Sequence, residues 1–435
     1  MQKTVLTQAV AVALATFGVG AAYAQSSLTL YGNADVSVDH VKKTEGVRLV
    51  PLNPASQGVK SSVTRVSPSA TSQTSYGIRG TEDIGGGFKA SFVLEGQLSH
   101  DTGALSQDGR FFGRQSYVGL TTPVGEVRLG RQYAPIFYST AFVTGERFGA
   151  TDLFIEGGAT NNLMVRQDNQ ISYWLKAGGL TASVAYTPNA GANDIISAAR
   201  GGQVSSANGG ILGSSGAGGE RAGNKNGRSV GFFGNYAFND NLNVTLGYHR
   251  NEFDGAGFGL YSSATNSTTV STFSLDKYSA LNLGAKYIVP GSNIMISGTA
   301  GQGKYDMTDG DGSLKLQFAA AGVRVPVDAW TFSAQVSQIK FKNFTKGKDT
   351  GLMLGTEYAL SKRTSLFARF VQIKDDEGQA ADAGFRAGPA TLAVVGGPDV
   401  IATSLGFRET PVFAGAGINA GGKSTYFGAG VRHTF

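Results

Sequence analysis

An apolar–polar alternation of period two runs from near the start of the sequence to its last residue. Between Leu28 and Val38, one face holds Leu28, Leu30, Ala34, Val36 and Val38, and the other holds Thr29, Tyr31, Asn33, Asp35 and Ser37. Between Lys423 and Phe435, the residues Phe427, Ala429, Val431, His433 and Phe435 alternate with Tyr426, Gly428, Gly430 and Arg432. Such a pattern is a β-strand with one greasy and one polar side. The spacing predicts sixteen of them, near 27–41, 72–82, 86–98, 111–121, 124–131, 167–176, 179–187, 228–239, 241–252, 275–289, 291–304, 312–326, 328–341, 349–360, 363–373 and 423–435. Most reach the roughly 9–11 residues that a tilted strand needs to cross a bilayer. A terminal aromatic strand is a bare hydrophobic edge unless another strand pairs with it. Pairing 423–435 with 27–41 removes the edge by closing the sheet.

The connections alternate in length. Tight turns fall at 83–87, 122–125, 177–179, 239–241, 290–292, 326–328 and 361–362, built from Gly, Asn, Asp, Pro and Ser. These residues supply the special dihedrals of short turns. Long connections fall at 42–71, 99–110, 132–166, 188–227, 253–274, 305–311, 342–348 and 374–422. Regular short–long alternation, with both ends on the short side, predicts a sixteen-stranded antiparallel transmembrane β-barrel with short periplasmic turns and long extracellular loops. A water-filled interior is expected at this strand number. Tyr173, Trp174, Phe238, Tyr248, Tyr287, Trp330, Tyr358, Phe427 and Phe435 lie near strand ends, where interfacial girdles sit.

Targeting fits this architecture. Lys3 precedes an apolar run from Val5 to Ala22, and Ala22-Tyr23-Ala24 supplies the small residues of a signal-peptidase site. Residues 1–24 are expected to be a secretory signal and 25–435 the barrel domain. Cysteine is absent, which excludes a disulfide-stapled secreted module. The net charge of +6 falls to +5 when Lys3 leaves, and the basic residues form no run, so nucleic acid is not an expected partner. Mean hydropathy is −0.08. A barrel accommodates that value, because half of every strand faces a wet lumen.

Several segments resemble the Gram-negative general porin family, in its β-proteobacterial branch. They are Leu30-Tyr31-Gly32, the strand–turn–strand from Gly77 to Ala90, Gly113 to Leu120, Val127 to Gln132, Arg166-Gln167-Asp168-Asn169, and the closing strand from Phe427 to Phe435. Their order spans nearly the whole chain after the signal. The resemblance implies a homotrimer whose third extracellular loop, here Tyr133–Val165, folds into each pore and narrows it. It implies acids on that loop, among which Glu146, Asp152 and Glu156 are candidates. It also implies arginines on the facing wall, and Arg114 and Arg166 match those positions. Arg131 lies in a matching segment and joins the candidates. Arg79 points inward by alternation with Tyr76 and Ile78, as does Lys286 against Leu283, Ala285 and Tyr287. Ser75 stands where many relatives carry another wall arginine, which weakens the expected basic ladder. In the family the last aromatic strand is read by the outer-membrane insertion machinery. The Phe435 carboxylate is expected near the amino group that signal removal leaves at Gln25.

The physics of such a gap is electrostatic. Guanidiniums on one wall and carboxylates on the other set a transverse field, and their balance selects counter-ions. Arginine suits the role because it stays charged when crowded. The expected function is therefore passive diffusion of ions and small hydrophilic solutes through the outer membrane of a Gram-negative bacterium, with weak to moderate anion preference. The expected surroundings are outer-membrane lipids and lipopolysaccharide. The alternative is an adhesin or recognition barrel acting through the loops 188–227 and 374–422.

No cofactor, metal or enzymatic activity is expected. His40, His100, His249 and His433 show no metal-ligand spacing, and none lies near a Gly-x-Ser-x-Gly elbow. The spaced acids Asp306, Asp309 and Asp311 lack the final Glu of a calcium loop and are expected to be a plain acidic hairpin.

Overall fold

The computed structural model describes residues 26–44, 48–49, 52–53, 58–68, 71–72, 74–105, 110–143, 166–188, 228–258, 260–262, 273–307, 313–343, 347–375, 386–387, 390–394 and 422–435. The expected signal, Gln25, the loop acids Glu146, Asp152 and Glu156, Asp309, Asp311 and the Gly/Ser-rich stretch 199–227 lie outside them.

The chain closes into a sixteen-stranded antiparallel barrel. The first strand, β1, is Ser27–Thr44. Its neighbour β2 comes in two collinear pieces, Lys60–Pro68 and Ser75–Gly85. The first piece pairs with Val36–Thr44 of β1 and the second with Ser27–Asn33. There follow β3 (Phe88–Gly96), β4 (Gln115–Thr122), β5 (Gly125–Tyr133), the helix α1 (Pro135–Ala141), β6 (Arg166–Ala177) and β7 (Leu180–Thr187). Next come β8 (Ser229–Ala237), β9 (Leu242–Phe258), β10 (Phe273–Ile288), β11 (Met295–Met307) and β12 (Ser313–Val327). The last four are β13 (Trp330–Asn343), β14 (Gly347–Ala359), β15 (Thr364–Asp375) and β16 (Lys423–Thr434). Strand β16 returns to β1, with Asn33 opposite Thr434 and Thr44 opposite Lys423. Closure matters physically, since an unpaired backbone group in hydrocarbon costs several kcal/mol and a closed ladder leaves none.

Each predicted strand is present, with ends shifted by a few residues. The first piece of β2 is the exception, because the sequence pattern places 42–71 in a loop. Lys60 to Pro68 carries only two valines among its polar residues, so neither face is greasy enough to register as a membrane strand. Strands β9, β11, β13, β14 and β15 also run into stretches expected to be loop.

The alternation sorts the two faces. Leu28, Leu30, Val118, Leu120, Leu129, Leu283, Val336 and Leu354 are exposed on the outer wall. Asp35, Ser37, Asp39, Glu95, Thr245, Asn282 and Gln335 are buried on the inner wall. This is a soluble protein's pattern turned inside out. Toward the loop rim of β10 to β15 the inner wall is also apolar, with Tyr278, Leu316, Phe318, Ile339 and Met353 buried there. At the tight-turn rim, Trp330 packs against Tyr358 at 4.8 Å and stacks with Phe332 at 6.1 Å, as an interfacial girdle would. Trp174 does not belong to that girdle. It shares the inward parity of Gln170 and Ser172, and its ring meets Tyr138 at 4.8 Å.

Candidate functional site

The start of the third loop turns into the barrel. Ala134 leads into α1, with Pro135 in the first turn, where its missing N–H costs nothing. The helix lies against the inner wall of β8, β9 and β10. Thr245 Oγ1 donates to the Ser139 carbonyl at 2.8 Å, and Asn282 Nδ2 donates to Ser139 Oγ at 2.9 Å. Close approach depends on glycine. A β-carbon at Gly231 would press on Pro135, one at Gly247 on Ser139 and Ile136, and one at Gly284 on Val143. These glycines step diagonally across three adjacent strands, because Gly247 is opposite Asn282 and Gly284 is opposite Thr245. The wall is therefore grooved to receive the helix. Inward glycines on neighbouring strands were visible in the sequence as alternation plus register, but register is not readable before the strands are paired.

Where β5 ends, side chains from five strands and from the approach to β4 converge. Arg114, on the approach to β4, donates through Nε to Glu95 at 2.5 Å and through Nη1 to Gln97 at 3.2 Å. Its Nη2 donates to the Tyr133 hydroxyl at 2.7 Å. Arg166 Nη2 donates to the same hydroxyl at 2.9 Å, and its guanidinium lies 4.6 Å over the Tyr133 ring. The other face of that ring stacks on Phe137 of α1 at 4.2 Å. Tyr31 on β1 donates to the second oxygen of Glu95 at 3.0 Å, and Arg79 on β2 lies 5.1 Å over the Tyr31 ring. The series Arg79, Tyr31, Glu95, Arg114, Tyr133, Arg166 is thus one connected band facing the lumen beside the root of loop three. It carries three guanidiniums and one carboxylate.

The sequence candidates therefore divide. Arg79, Arg114 and Arg166 come together. Arg131 does not. It is opposite Ser116, and Val118 is opposite Leu129 in the same unbroken register, so Arg131 shares the outward face of Leu129. There it bonds Asp168 at 2.5 Å and the Gly113 carbonyl at 2.7 Å, and Arg110 holds the same Asp168 at 2.9 Å. Membership in a matching segment did not fix its face; parity with Leu129 does. Ser75 is opposite Asn33 on the inner side, and Lys286 is inward and half-buried. Phe435 exchanges backbone hydrogen bonds with Gly32, both at 3.1 Å.

Two wall residues escaped the sequence reading. Tyr133 was visible only as the first residue of a loop, yet it binds both guanidiniums. Arg128 lies 4.7 Å over Trp174 and 5.1 Å over Tyr117, and donates to Glu126 at 2.7 Å. Its inward parity, between Val127 and Leu129, was available as a signal.

Burial makes the Tyr138 phenol in α1 much less acidic than usual, so it stays neutral at any physiological pH.

An inside-out barrel, a loop whose first helix is seated in its lumen and a basic band beside that helix are the parts of a diffusion channel. Comparison with known proteins agrees. The chain is 28% identical to outer membrane porin protein 32 of Delftia acidovorans, over the full length of both. It is 33% identical to an outer membrane porin protein of Bordetella pertussis over 40% of this chain and 44% of that one. Among solved structures, an anion-selective porin from Comamonas acidovorans superposes with a TM-score of 0.63 at 24% identity, covering 94% of this chain and all of the other. OmpT of Vibrio cholerae superposes with a TM-score of 0.58 at 12% identity, covering 94% and 98%. Residues 9–378 match the Gram-negative porin family, and the chain belongs to it: it is an outer-membrane channel.

Proposed function

We propose that this channel prefers anions, and that the band from Arg79 to Arg166 is its filter. The observation that carries this is the excess of three guanidiniums over one carboxylate beside the seated loop. In a narrow wet gap such an excess attracts anions and repels cations. The anion-selective porin from Comamonas acidovorans supports the same sign. Ser75 subtracts one cation from the wall, so the preference is weak to moderate.

The same reading takes residues 1–24 as a signal removed on export, and the working form as a homotrimer. Small outward residues on the early strands, Ala34 and Ala90, give neighbouring barrels a flat surface. A solved relative-by-fold is described as a trimer form.

Planar-bilayer recording in a KCl gradient tests the filter. Stepwise conductance with a reversal potential on the chloride side is expected. Arg114→Ser with Arg166→Ser should move that potential toward the potassium side. An unmoved potential would place the filter elsewhere.

A further inference from the structure

The break in β2 is not a simple gap. Val36 of β1 is opposite Pro68, and Asn33 is opposite Ser75. Only Ala34 and Asp35 lie between these pairs, so two residues of β1 stand against six of β2, 69–74, an excess of four. An even excess leaves both pieces of β2 with the same faces in and out, because side-chain parity has period two. An odd one would have turned one piece inside out.

The excess turns into the lumen and is tied there. Asp35 is on the inner wall, and its Oδ2 accepts from the backbone N–H of Thr71 and of Ser72, both at 2.9 Å, and from the Thr71 hydroxyl. Neither piece of β2 puts a residue opposite Asp35. The Thr74 hydroxyl takes the place of one, accepting from the Asp35 N–H at 3.3 Å and donating to the Asp35 carbonyl at 3.2 Å. The backbone of β1 therefore stays satisfied across the break. Asn33 Nδ2 donates to the Ser72 hydroxyl. Across the seam, Arg432 is directly opposite Asp35. Its Nη1 donates to the Thr71 hydroxyl at 3.3 Å, and its Nη2 donates to Glu357 on β14. Asp35, Thr71, Ser72 and Thr74 are all buried. A bulge held by a carboxylate on one side and a guanidinium on the other is a fixed ledge, since such charge-assisted bonds are the strong ones.

Its place round the ring is informative. The helix α1 is seated on β8, β9 and β10, and β1 is eight strands from β9 in a ring of sixteen. Ledge and helix therefore stand on opposing walls. Along β1, only Asn33 separates Asp35 from Tyr31, the inward residue through which β1 joins the basic band. The ledge thus borders the band on its loop side.

We propose that the ledge of Thr71, Ser72 and Thr74, held by Asp35 and Arg432, is the second jaw of the constriction and helps set the largest solute that passes. This rests on the chain being a channel and not on which ion the band prefers.

Deleting residues 70–73 tests it. They are Ala70, Thr71, Ser72 and Gln73, so no charge is lost. The deletion removes the excess and makes the register of β2 on β1 continuous, which adds ladder pairs instead of breaking them. In planar bilayers single-channel conductance should rise by roughly half, because pore width limits it. Larger polyethylene glycols should enter the pore, while the reversal potential in a KCl gradient stays that of the unaltered channel. Asp35→Ala removes the acceptor of both ledge amides and should raise conductance and polymer cut-off in the same direction, by less. If the deletion does not assemble, Asp35→Ala decides alone. Unchanged conductance and polymer cut-off in the folded variant overturn the proposal. So does a shifted reversal potential with unchanged conductance, which would make the Asp35–Arg432 pair part of the filter's charge and not a jaw. Failure of the anion filter shows separately, as a potassium-side reversal potential in the unaltered channel.

Discussion

Glu95 is the negative centre of the band, and its two oxygens are both engaged, by Arg114 and by Tyr31. Replacing it with Gln keeps one acceptor, puts an amide donor in place of the other and removes the charge. Three guanidiniums then lose their counter-charge, so the anion-to-cation permeability ratio of Glu95→Gln should rise, by roughly two- to threefold. The sign is opposite to that of the double arginine variant, and reversal potentials in one KCl gradient compare them directly. A fall in anion preference would show that Glu95 does not screen the filter. Tyr133 gives a second contrast. Its hydroxyl accepts from two cations, and each such bond is worth about 1.5–3 kcal/mol. Tyr133→Phe leaves the charge count untouched, so selectivity should persist while current noise increases as the guanidiniums are released. At this scale the sequence was legible where parity decides. Arg79 and Lys286 were placed by alternation alone. Arg131 and Trp174 went astray because their grouping rested on segment membership or nearness to a strand end, and neither fixes which face a side chain takes.

The element that defines the pore is the helix α1 in its glycine groove. Its position depends on backbone contact, since Gly231, Gly247 and Gly284 each stand where a methyl group would overlap the helix segment. Overpacking of this kind costs about 1–3 kcal/mol. Gly247→Ala should push α1 off the wall, raising single-channel conductance and weakening selectivity together. Because the nearest obstruction is the Ser139 side chain, Gly247→Ala combined with Ser139→Gly should recover much of the original conductance. A double-mutant cycle on conductance measures that coupling, and strictly additive effects would mean the groove does not hold the helix. The inward turn of loop three was expected from family resemblance, but its seat was not. A seat is made of residues from three separate strands, and their juxtaposition exists only after pairing.

The whole molecule stands on its seam. The sequence paired 423–435 with 27–41, and the strands pair in that way. The register is finer than the pattern could say. Phe435 bonds Gly32, and its ring lies over that glycine, where any side chain would collide with it. Gln25 lies beyond the described residues. The seam has twelve paired positions from Asn33 to Thr44. Removing Phe435 deletes only the backbone exchange with Gly32 at its last step, each bond worth about 0.5–1.5 kcal/mol. The remaining ladder keeps the barrel closed, so pores formed without Phe435 should conduct normally. Assembly is different, because closure happens last and the terminal aromatic strand must be held against β1 before the rest of the ladder can zip. Deleting Phe435 should therefore lower the yield of folded channel in the outer membrane far more than it changes conductance. Gly32→Val, which leaves the terminus intact but blocks the ring's resting place, should lower yield in the same way. Measuring heat-resistant oligomer and single-channel conductance on the same preparations separates the two effects. Normal yield from both variants would show that the seam closes without help from its last residue.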